Sequence, residues 1–337
     1  MGLFVDGAWH DTWYDTEKSG GRFVREDSLF RNWVTPDGSP GPTGKGGFMA
    51  EPGRYHLYVN YNCPWAHRTL IFRKLKQLED AISLSILLPT MGPRGWEFGD
   101  DPDTATDSVN GKKVLGEIYL LAKPHYTGRV TVPVLWDKQK KAIVNNESSE
   151  IIRMLNSAFD AFTDAKQDYY PAALRAEIDV VNGWVYPQFN NGVYGAGFAT
   201  SQSAYDEAFR DVFEALDAME ERLSRQRYLA GDRQTEADWR AFTTLIRFDA
   251  VYYSHFKCNR RRIKDYPNLS NYLRDLYQVP GVAETVRIEH IKRGYYRLGR
   301  LNPTGIIPLG PELDFDAPHD RARFDRAEAA PARVRAG

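Results

Sequence analysis

The residue of this sequence with the most evident chemistry is Cys63, which opens the segment 63–68, Cys-Pro-Trp-Ala-His-Arg. Residues 55–59 before it have the composition of a strand, and the apolar residues after it recur at the spacing of one helix face. Pro64 suits the first helical position because its missing N–H is not needed there. Cys63 is therefore expected at a helix N-terminus, where unpaired N–H groups favour an anion. A thiol so placed should ionise more easily than a free cysteine, and the thiolate is the nucleophile.

A second thiol is missing from the place where a dithiol shuttle would need it, because that position holds Ala66. Chemistry at Cys63 must then use one thiol of the protein and one from outside. The alternative interpretation is a small buried hydrophobe, which describes most lone cysteines. The strand, the Cys-Pro pair and the amphipathic helix together favour the reactive thiol. Cys258 is expected to be structural, and the sequence has no ligand spacing typical of a zinc site.

Composition excludes several classes of function. The 337 residues suffice for two ordinary domains, and the formal net charge of −1 gives no indication of nucleic acid or an anionic membrane as a partner. Two cysteines far apart suit a reducing compartment better than a disulfide framework. The first residues lack the pattern of a signal peptide, and no stretch approaches the ~18 apolar residues of a membrane span. We therefore expect a soluble cytoplasmic protein.

The elements around Cys63 follow the order β-α-β and then β-β-α. Strands are expected at 55–59, 82–87, 130–136 and 142–144, and the first unit implies a parallel pair joined by a crossover helix. Pro133 interrupts the third of these strands. Because proline is excluded from central strands, this position should be an edge, a bulge or a cis bond.

Two segments beside this unit have the composition of loops. Residues 1–54 are rich in glycine, proline and charge, and we interpret them as an extension laid over the fold. Trp9, Trp13 and Trp33 indicate that parts of the extension pack against the protein. Residues 89–126 form a long insertion, and loops of this length inside a compact domain tend to be functional.

The second half of the chain is predicted to be helical. Apolar residues recur at helical spacing between 205 and 223 and again beyond 267. Thr235, followed three residues later by Asp238, resembles a capping box, in which each side chain satisfies a free backbone N–H. The residues beyond 303 are rich in proline and charge, and we expect their end to be loosely ordered.

A unit of this order, with a cysteine at its first helix and an all-helical half after it, resembles a glutathione transferase. Further segments closely resemble the xi class, the glutathionyl-hydroquinone reductases, over nearly the whole chain. The resemblance implies an α/β thioredoxin-like N-terminal domain (55–165) that binds glutathione, followed by an all-α glutathione-transferase-type C-terminal domain (166–310), with an extension (1–54) and a tail (311–337). The segments that carry it are 63–68, the insertion bearing Trp96, Asn145–Ser149, Asn191–Tyr194, His255–Cys258 and Asn302–Ile306.

The resemblance also implies a glutathione pocket. The residue before a cis proline, here Val132, would pair its backbone with the peptide of glutathione. Ser148 and neighbouring N–H groups at a helix start would hold the γ-glutamyl carboxylate, and Glu147 would pair with the adjacent ammonium. Trp96 and Arg129 would line the pocket. Without the resemblance, the Glu-Ser pair is an ordinary helix cap and a loop tryptophan more often packs against the core.

Three tyrosines receive roles from the same resemblance. Tyr194 matches the residue that donates a proton to the leaving hydroquinone, since a phenol holds a transferable proton at neutral pH. Tyr252 and Tyr295 match residues that hydrogen bond on the cysteine side and stabilise the thiolate. Each has a tyrosine neighbour, so Tyr253 and Tyr296 are the alternatives. From the residues alone, most helical tyrosines are core residues.

The activity that the resemblance implies is a thiol-dependent reduction. The Cys63 thiolate attacks the glutathione sulfur of a glutathionyl-hydroquinone, and a second glutathione resolves the Cys63–glutathione disulfide and leaves as oxidised glutathione. Glutathione is then a co-substrate, no metal is needed, and a homodimer is expected. Two alternatives remain open: a broader omega-like thioltransferase or dehydroascorbate reductase that uses the same Cys63, and a non-catalytic ligand-binding protein on the same fold.

Overall fold

The computed structural model describes residues 2–325, so the end of the expected tail, 326–337, lies outside the described residues. Within that range, two small sheets lie beside a largely helical half. The strands are β1 (Leu3–Val5), β2 (Ala8–His10), β3 (Tyr55–Val59), β4 (Ile82–Ile86), β5 (Gly128–Arg129), β6 (Val134–Asp137) and β7 (Ala142–Asn145). The helices are α1 (Pro64–Leu75), α2 (Leu115–Ala122), α3 (Ser148–Ser157), α4 (Arg175–Trp184), α5 (Gly192–Gly197), α6 (Gln202–Leu223), α7 (Glu236–Arg247), α8 (Pro267–Tyr277) and α9 (Ile288–Tyr296).

The sheet that positions Cys63 has the strand order β4-β3-β6-β7. β3 and β4 are parallel and joined by α1, as the sequence predicts, whereas β6 runs antiparallel to both β3 and β7. Every residue of β3 is buried, which is typical of a central strand covered on both faces. Three residues separate the end of β3 from Cys63, and α1 begins directly after it. The thiol therefore lies at the carboxyl end of a central strand, where open α/β sheets bind ligands.

The third strand of this sheet is shorter than predicted. A strand was expected over 130–136, but β6 begins only at Val134. The bond between Val132 and Pro133 is cis, which is one of the three arrangements expected for this proline. Because Pro133 has no N–H to pair, the ladder starts after it. Residues 128–129 instead form β5, which pairs with β1 in the second sheet.

The insertion 89–126 is not entirely loop, which corrects the interpretation from composition. Its second part forms α2, whose apolar residues Leu115, Ile118 and Tyr119 are buried. The carboxylate of Glu117 accepts hydrogen bonds from the N–H groups at the start of this helix, at 3.0 and 3.2 Å. The glycine- and proline-rich first part, which contains Trp96, has no helix or strand.

The helical half follows the predicted stripes, with two local departures. The capping box is present at the start of α7, where the Asp238 carboxylate accepts from the Thr235 N–H at 2.8 Å. Two segments continue helices as π-helical turns, at Val185–Asn190 after α4 and at Phe248–Tyr252 after α7. Such turns widen the helix by one residue and occur often at functional sites. The first immediately precedes the segment of α5, and the second ends at Tyr252.

The extension packs against both halves of the fold. β1 pairs with β5 of the thioredoxin-like unit, and the expected packing of Trp9, Trp13 and Trp33 is present, since all three are partly buried against the core. Tyr14 and Phe23 are almost fully buried. The extension is therefore part of the folded core. In the span that the structure describes, none of the helices is long and apolar enough to cross a membrane.

Candidate active site

Cys63 is the N-cap residue of α1, and Pro64 holds the first helical position. Its backbone is extended, and its thiol makes no capping hydrogen bond to the helix. The side chain is 9% exposed, and Sγ lies 3.6 Å from the carbonyl oxygen of Val132. The cysteine and the residue before the cis proline are therefore adjacent.

Burial raises the pKa of the Cys63 thiol above its ordinary value. The N–H groups of Ala66 and Trp65 and the positive charges of Arg247 and Arg25 act in the opposite direction. The expectation of easier ionisation from the helix N-terminus alone is thus wrong in net direction, because removal from water outweighs the N–H groups. These N–H groups and arginines favour the thiolate, whereas the Val132 carbonyl oxygen accepts a hydrogen bond from the protonated thiol.

Arg247, at the end of α7, holds the loop that carries Cys63. Its guanidinium is fully buried and donates to the carbonyl oxygens of Tyr61 at 2.8 Å and Asn62 at 3.0 Å. It also lies 2.9 Å from Nδ1 of His67. Burial and Arg247 lower the pKa of His67 well below its ordinary value, so this imidazole stays neutral. Both ring nitrogens of His67 have partners within the fold, Arg247 at Nδ1 and Thr285 at Nε2.

Two adjoining cavities open beside Cys63. The large cavity, about 330 Å³, is lined by the start of α3 and the turn before β6. The small cavity, about 90 Å³, contains Cys63 and is mainly apolar. Five residues line both and form the wall between them: Tyr14, Arg25, Trp65, Thr131 and Val132.

The start of α3 gives the large cavity its polar end. Glu147 caps the helix and accepts hydrogen bonds from the N–H and Oγ of Ser149, at 3.0 and 2.9 Å. Burial alone would raise the pKa of Glu147, but these bonds and the charge of Arg68 bring it below its ordinary value. The carboxylate is therefore ionised at neutral pH. Ser148 lies in the same wall, and its Oγ accepts from Arg68 at 3.3 Å.

Three tyrosine hydroxyls form a chain at the small cavity. Tyr194 and Tyr295 line it together with Cys63, and their oxygens are 2.5 Å apart. The hydroxyl of Tyr252 lies 3.0 Å from that of Tyr295. Burial raises the pKa of all three phenols, so they are protonated at neutral pH. The arrangement offers a proton donor beside a thiol, with a second phenol that hydrogen bonds to the donor.

Comparisons with known proteins agree with this geometry. A family model described as the glutathione S-transferase N-terminal domain matches residues 62–158, and one for the C-terminal domain matches 202–275. The chain is 58% identical to glutathionyl-hydroquinone reductase YqjG of Escherichia coli K12, over 95% of this chain and 98% of that protein. It is 54% identical to glutathionyl-hydroquinone reductase PcpF of Sphingobium chlorophenolicum, over 92% and 96%. The chain belongs to the glutathionyl-hydroquinone reductases, the xi class of glutathione transferases.

Solved structures of glutathione transferases have the same fold. The glutathione-bound structure of YqjG matches with a TM-score of 0.88 at 55% identity, over 95% of this chain and 99% of that one. A xi-class enzyme from Natrialba magadii matches with a TM-score of 0.88 at 47% identity, over 96% and 97%. The predicted fold class, a thioredoxin-like domain followed by an all-α domain, is confirmed.

The site residues expected for a xi-class enzyme fall into two groups. Arg129, Val132, Glu147 and Ser148, which the resemblance assigns to a glutathione pocket, all line the large cavity. Trp96 does not line this cavity in the described structure. It lies in the small one, with Cys63, because the insertion folds over the cysteine side of the wall.

The tyrosine alternatives are separated by the structure. The hydroxyl of Tyr296 has its partners outside the two cavities. It donates to the Ala250 carbonyl oxygen at 3.2 Å and lies 2.6 Å from Ser254 Oγ. Neither Tyr252 nor Tyr253 lines the two cavities, but the hydroxyl of Tyr252 is the one that lies 3.0 Å from that of Tyr295. Tyr252 and Tyr295 are therefore the members of the hydroxyl chain. Tyr252 is fully buried, and its hydroxyl bonds to that of Tyr295. The sequence analysis expected a hydrogen bond on the cysteine side, but Tyr252 lies behind Tyr295.

Several residues of the site escaped the sequence analysis. Trp13, Tyr14 and Arg25 come from the extension, and Arg68 and Arg247 are buried arginines on helices. Arg68 and Arg247 are themselves buried in α1 and α7, so a charged residue at a buried helix position is the signal that could have marked them. No local pattern marks the extension residues, because their partners are distant in sequence.

Proposed function

We propose that this protein reduces glutathionyl-hydroquinones with glutathione and releases the hydroquinone and oxidised glutathione. The observation that carries the proposal is the small cavity, in which Cys63 lies with the phenols of Tyr194 and Tyr295. Five residues line both this cavity and the large one, and we infer that a single substrate places its peptide in the large cavity and its ring in the small one. YqjG and PcpF bear the name of this activity.

The carbon–sulfur bond of the substrate must be activated before a thiolate can break it. Attack of a thiolate on the sulfur of an aromatic thioether would expel an aryl carbanion, which is a poor leaving group. If the ring carbon takes a proton while the neighbouring hydroxyl loses one, the ring becomes a ketone and the leaving group becomes an enolate. Tyr194 donates that proton to carbon, since it is protonated and lines the cavity, and it recovers the proton lost by the hydroxyl. Tyr295 hydrogen bonds to the Tyr194 oxygen throughout.

Cys63 then acts as the nucleophile. Its thiolate attacks the glutathione sulfur, an S–S bond forms, and the electron pair of the carbon–sulfur bond restores the aromatic ring as a phenolate. The phenolate takes the proton of a second glutathione thiol. The resulting glutathione thiolate attacks the mixed disulfide, which releases oxidised glutathione and regenerates the Cys63 thiolate. The sum converts one thioether and one glutathione into one hydroquinone and one disulfide.

The large cavity suits the peptide of glutathione. The backbone of Val132 pairs with that peptide, and the N-terminus of α3 with Ser148 receives the γ-glutamyl carboxylate. The ionised Glu147 pairs with the adjacent ammonium. Arg129 lines the same cavity, and Trp96 closes the cysteine side. These contacts place the glutathione sulfur near Cys63, next to the Val132 carbonyl.

Two other functions are alternatives to this one. A broader thioltransferase or dehydroascorbate reductase would use the same Cys63 without a proton donor to carbon. A binding protein without turnover would need neither Cys63 nor Tyr194. The pairing of a thiol with a buried phenol chain favours the hydroquinone reaction over both. We further propose that the protein is a cytoplasmic homodimer.

Mass spectrometry tests the proposal directly. The protein is mixed with one equivalent of a glutathionyl-hydroquinone in the absence of free glutathione. We expect one glutathione adduct, mapped to Cys63, together with an equal amount of free hydroquinone. Cys63→Ser should give neither product. Release of hydroquinone without an adduct on Cys63 would contradict the mechanism. Absence of both products, with an adduct on Cys63 formed from a glutathione mixed disulfide instead, would leave only the thioltransferase.

A further inference from the structure

Arg25 is a cation held among aromatic rings by the extension. Its guanidinium carbon lies 5.0 Å from the ring centre of Tyr194, 5.0 Å from that of Trp65 and 5.2 Å from that of Phe23. These distances are within the range of cation–π attraction. Its Nε donates to Oδ1 of Asn191 at 3.1 Å, which fixes the direction of the guanidinium. The side chain is therefore positioned and not free to swing into water.

The outer end of this guanidinium lacks a partner. Nη2 of Arg25 is buried and makes no hydrogen bond within residues 2–325. No carboxylate of the same residues forms an ion pair with it, in contrast to Arg129 in the next wall, whose Nε lies 3.0 Å from Glu26. A buried donor without an acceptor is costly, and it indicates a group that a ligand satisfies.

The position of Arg25 decides which part of a ligand it meets. It is one of the five residues that line both cavities, so any molecule that spans them passes its guanidinium. In a glutathionyl-hydroquinone, the spanning part is the sulfur, the ring carbon that bears it and the oxygen next to that carbon. Tyr194, under the same guanidinium, is the donor to that carbon.

We propose that Arg25 is a further catalytic residue, and that its free Nη2 hydrogen bonds to the hydroquinone oxygen next to the carbon–sulfur bond. This inference rests on the proposed function. Negative charge develops on that oxygen in two steps. The first is the loss of the hydroxyl proton, and the second is the formation of the phenolate when the carbon–sulfur bond breaks and its electron pair enters the ring. A fixed cation, partly enclosed by rings, stabilises such charge more strongly than water does. The protein would therefore select thioethers that carry an oxygen on the neighbouring ring carbon.

The test compares two reactions of Cys63. Reduction of glutathionyl-hydroquinones needs stabilisation of the ring oxygen, whereas reduction of a mixed disulfide between glutathione and 2-mercaptoethanol does not. Arg25→Gln should lower kcat of the first reaction by about 100-fold, the usual effect of removing one donor to a developing anion. The mixed-disulfide activity should fall much less, only by the effect of losing one positive charge near Cys63, and the KM for glutathione should be unchanged. Arg25→Lys, which keeps the charge without the forked donor, should recover part of the lost rate.

A series of substrates adds a measurement that a merely structural role would not change. Ring substituents alter the phenolic pKa of the hydroquinone, and we expect Arg25→Gln to be most impaired with the least acidic ones. The phenolate oxygens of these hydroquinones depend most on stabilisation by the protein. Arg22→Gln is the matched control, since Arg22 lies on the same extension but bonds to the exposed Glu207 and lines neither cavity. It should retain wild-type kcat in both reactions, and all variants should match wild type in melting temperature.

Three results would overturn the inference. An equal fall in both reactions would mean that Arg25 supports the fold of the site. A rise in the KM for glutathione at unchanged kcat would mean that Nη2 binds a carboxylate of glutathione. No effect on either reaction would mean that the unpaired donor has no role. Failure of the proposed function is separate, because wild-type protein would then show no hydroquinone release at all.

Discussion

The two cysteines of this chain are both buried, yet only one is placed for chemistry. Cys258 is fully enclosed, and burial raises its pKa to about 12, with only Lys257 acting in the other direction. Cys63 is 9% exposed, stands at a helix N-terminus and lines a cavity. Two N–H groups and two arginines favour its thiolate. The difference shows that the position at a helix end and the adjoining cavity distinguish Cys63 from Cys258, since burial raises the pKa of both thiols.

The same contrast holds for neighbouring tyrosines. Tyr295 and Tyr296 are adjacent and equally buried, each 6% exposed. The hydroxyl of Tyr295 joins the chain beside Cys63, whereas that of Tyr296 bonds to Ser254 in the helical half. Residue type and burial do not separate the members of either pair. What separates them is whether the side chain reaches the small cavity.

Replacing each cysteine in turn by serine is the strongest test of the contrast between Cys63 and Cys258. Cys63→Ser should lower kcat for glutathionyl-hydroquinone reduction by at least about 10³-fold, as expected when a nucleophile is lost. Cys258→Ser should keep kcat but lower the free energy of unfolding by about 1–3 kcal/mol, because a hydroxyl replaces a thiol in an apolar site. Steady-state assays and urea unfolding measure the two effects. Full turnover by Cys63→Ser would remove the basis of the mechanism.

The tyrosine contrast gives the next largest effect. Tyr194→Phe removes the proton donor to carbon and should slow hydroquinone release by about 100-fold or more. Reduction of a glutathione mixed disulfide needs no such proton and should be unchanged. Tyr296→Phe is the matched control and should leave both rates at the wild-type level, since its hydroxyl points away from the cavity. Unchanged rates in both assays for Tyr194→Phe would favour the general thioltransferase, and equal losses in both would assign Tyr194 a structural role.

A pair of glycines extends the contrast to the backbone. A Cβ on Gly294, which lines the small cavity, would lie within 1.9 Å of Nδ2 of Asn62, the residue before Cys63. That amide donates to the Pro89 carbonyl oxygen at 2.6 Å, so it must shift. Gly294→Ala should lower kcat by about 10-fold, because small displacements at reacting groups are costly. Gly183→Ala, on the exposed face of α4 with open space around it, should keep kcat and raise the unfolding free energy by about 0.5–1 kcal/mol.

Local patterns predicted the fold because they were consistent with each other. Strand β3, Pro64 at the first helical position and the Thr235 capping box were each read from a few adjacent residues, and each is present. The choice between Tyr252 and Tyr253 was not available from sequence. Tyr252 ends a π-helical turn, and such a turn shifts which residue faces a given side by one position.

Long-range contacts explain what the sequence analysis missed. The guanidinium of Arg25 lies over the ring of Tyr194, and that of Arg247 donates to the carbonyl oxygen of Tyr61. In each pair the two residues are more than a hundred positions apart in the sequence. No spacing rule connects such positions. The net pKa of Cys63 was misjudged for the same reason, since the helix N-terminus is a local feature and burial is set by the whole fold.

The pH dependence of thiol alkylation gives the smallest effect and the finest comparison. Because burial raises the pKa of Cys63, its thiolate forms only as the pH rises, and the midpoint of its reaction with iodoacetamide should lie above the ~8.5 of a free cysteine. Cys258, with a pKa of about 12, should stay unmodified over the same range. Arg25→Gln removes one of the charges that favour the thiolate and should move the Cys63 midpoint further upward. Peptide mapping after timed alkylation resolves the two thiols. A Cys63 midpoint below that of a free cysteine would mean that the helix N-terminus outweighs burial after all.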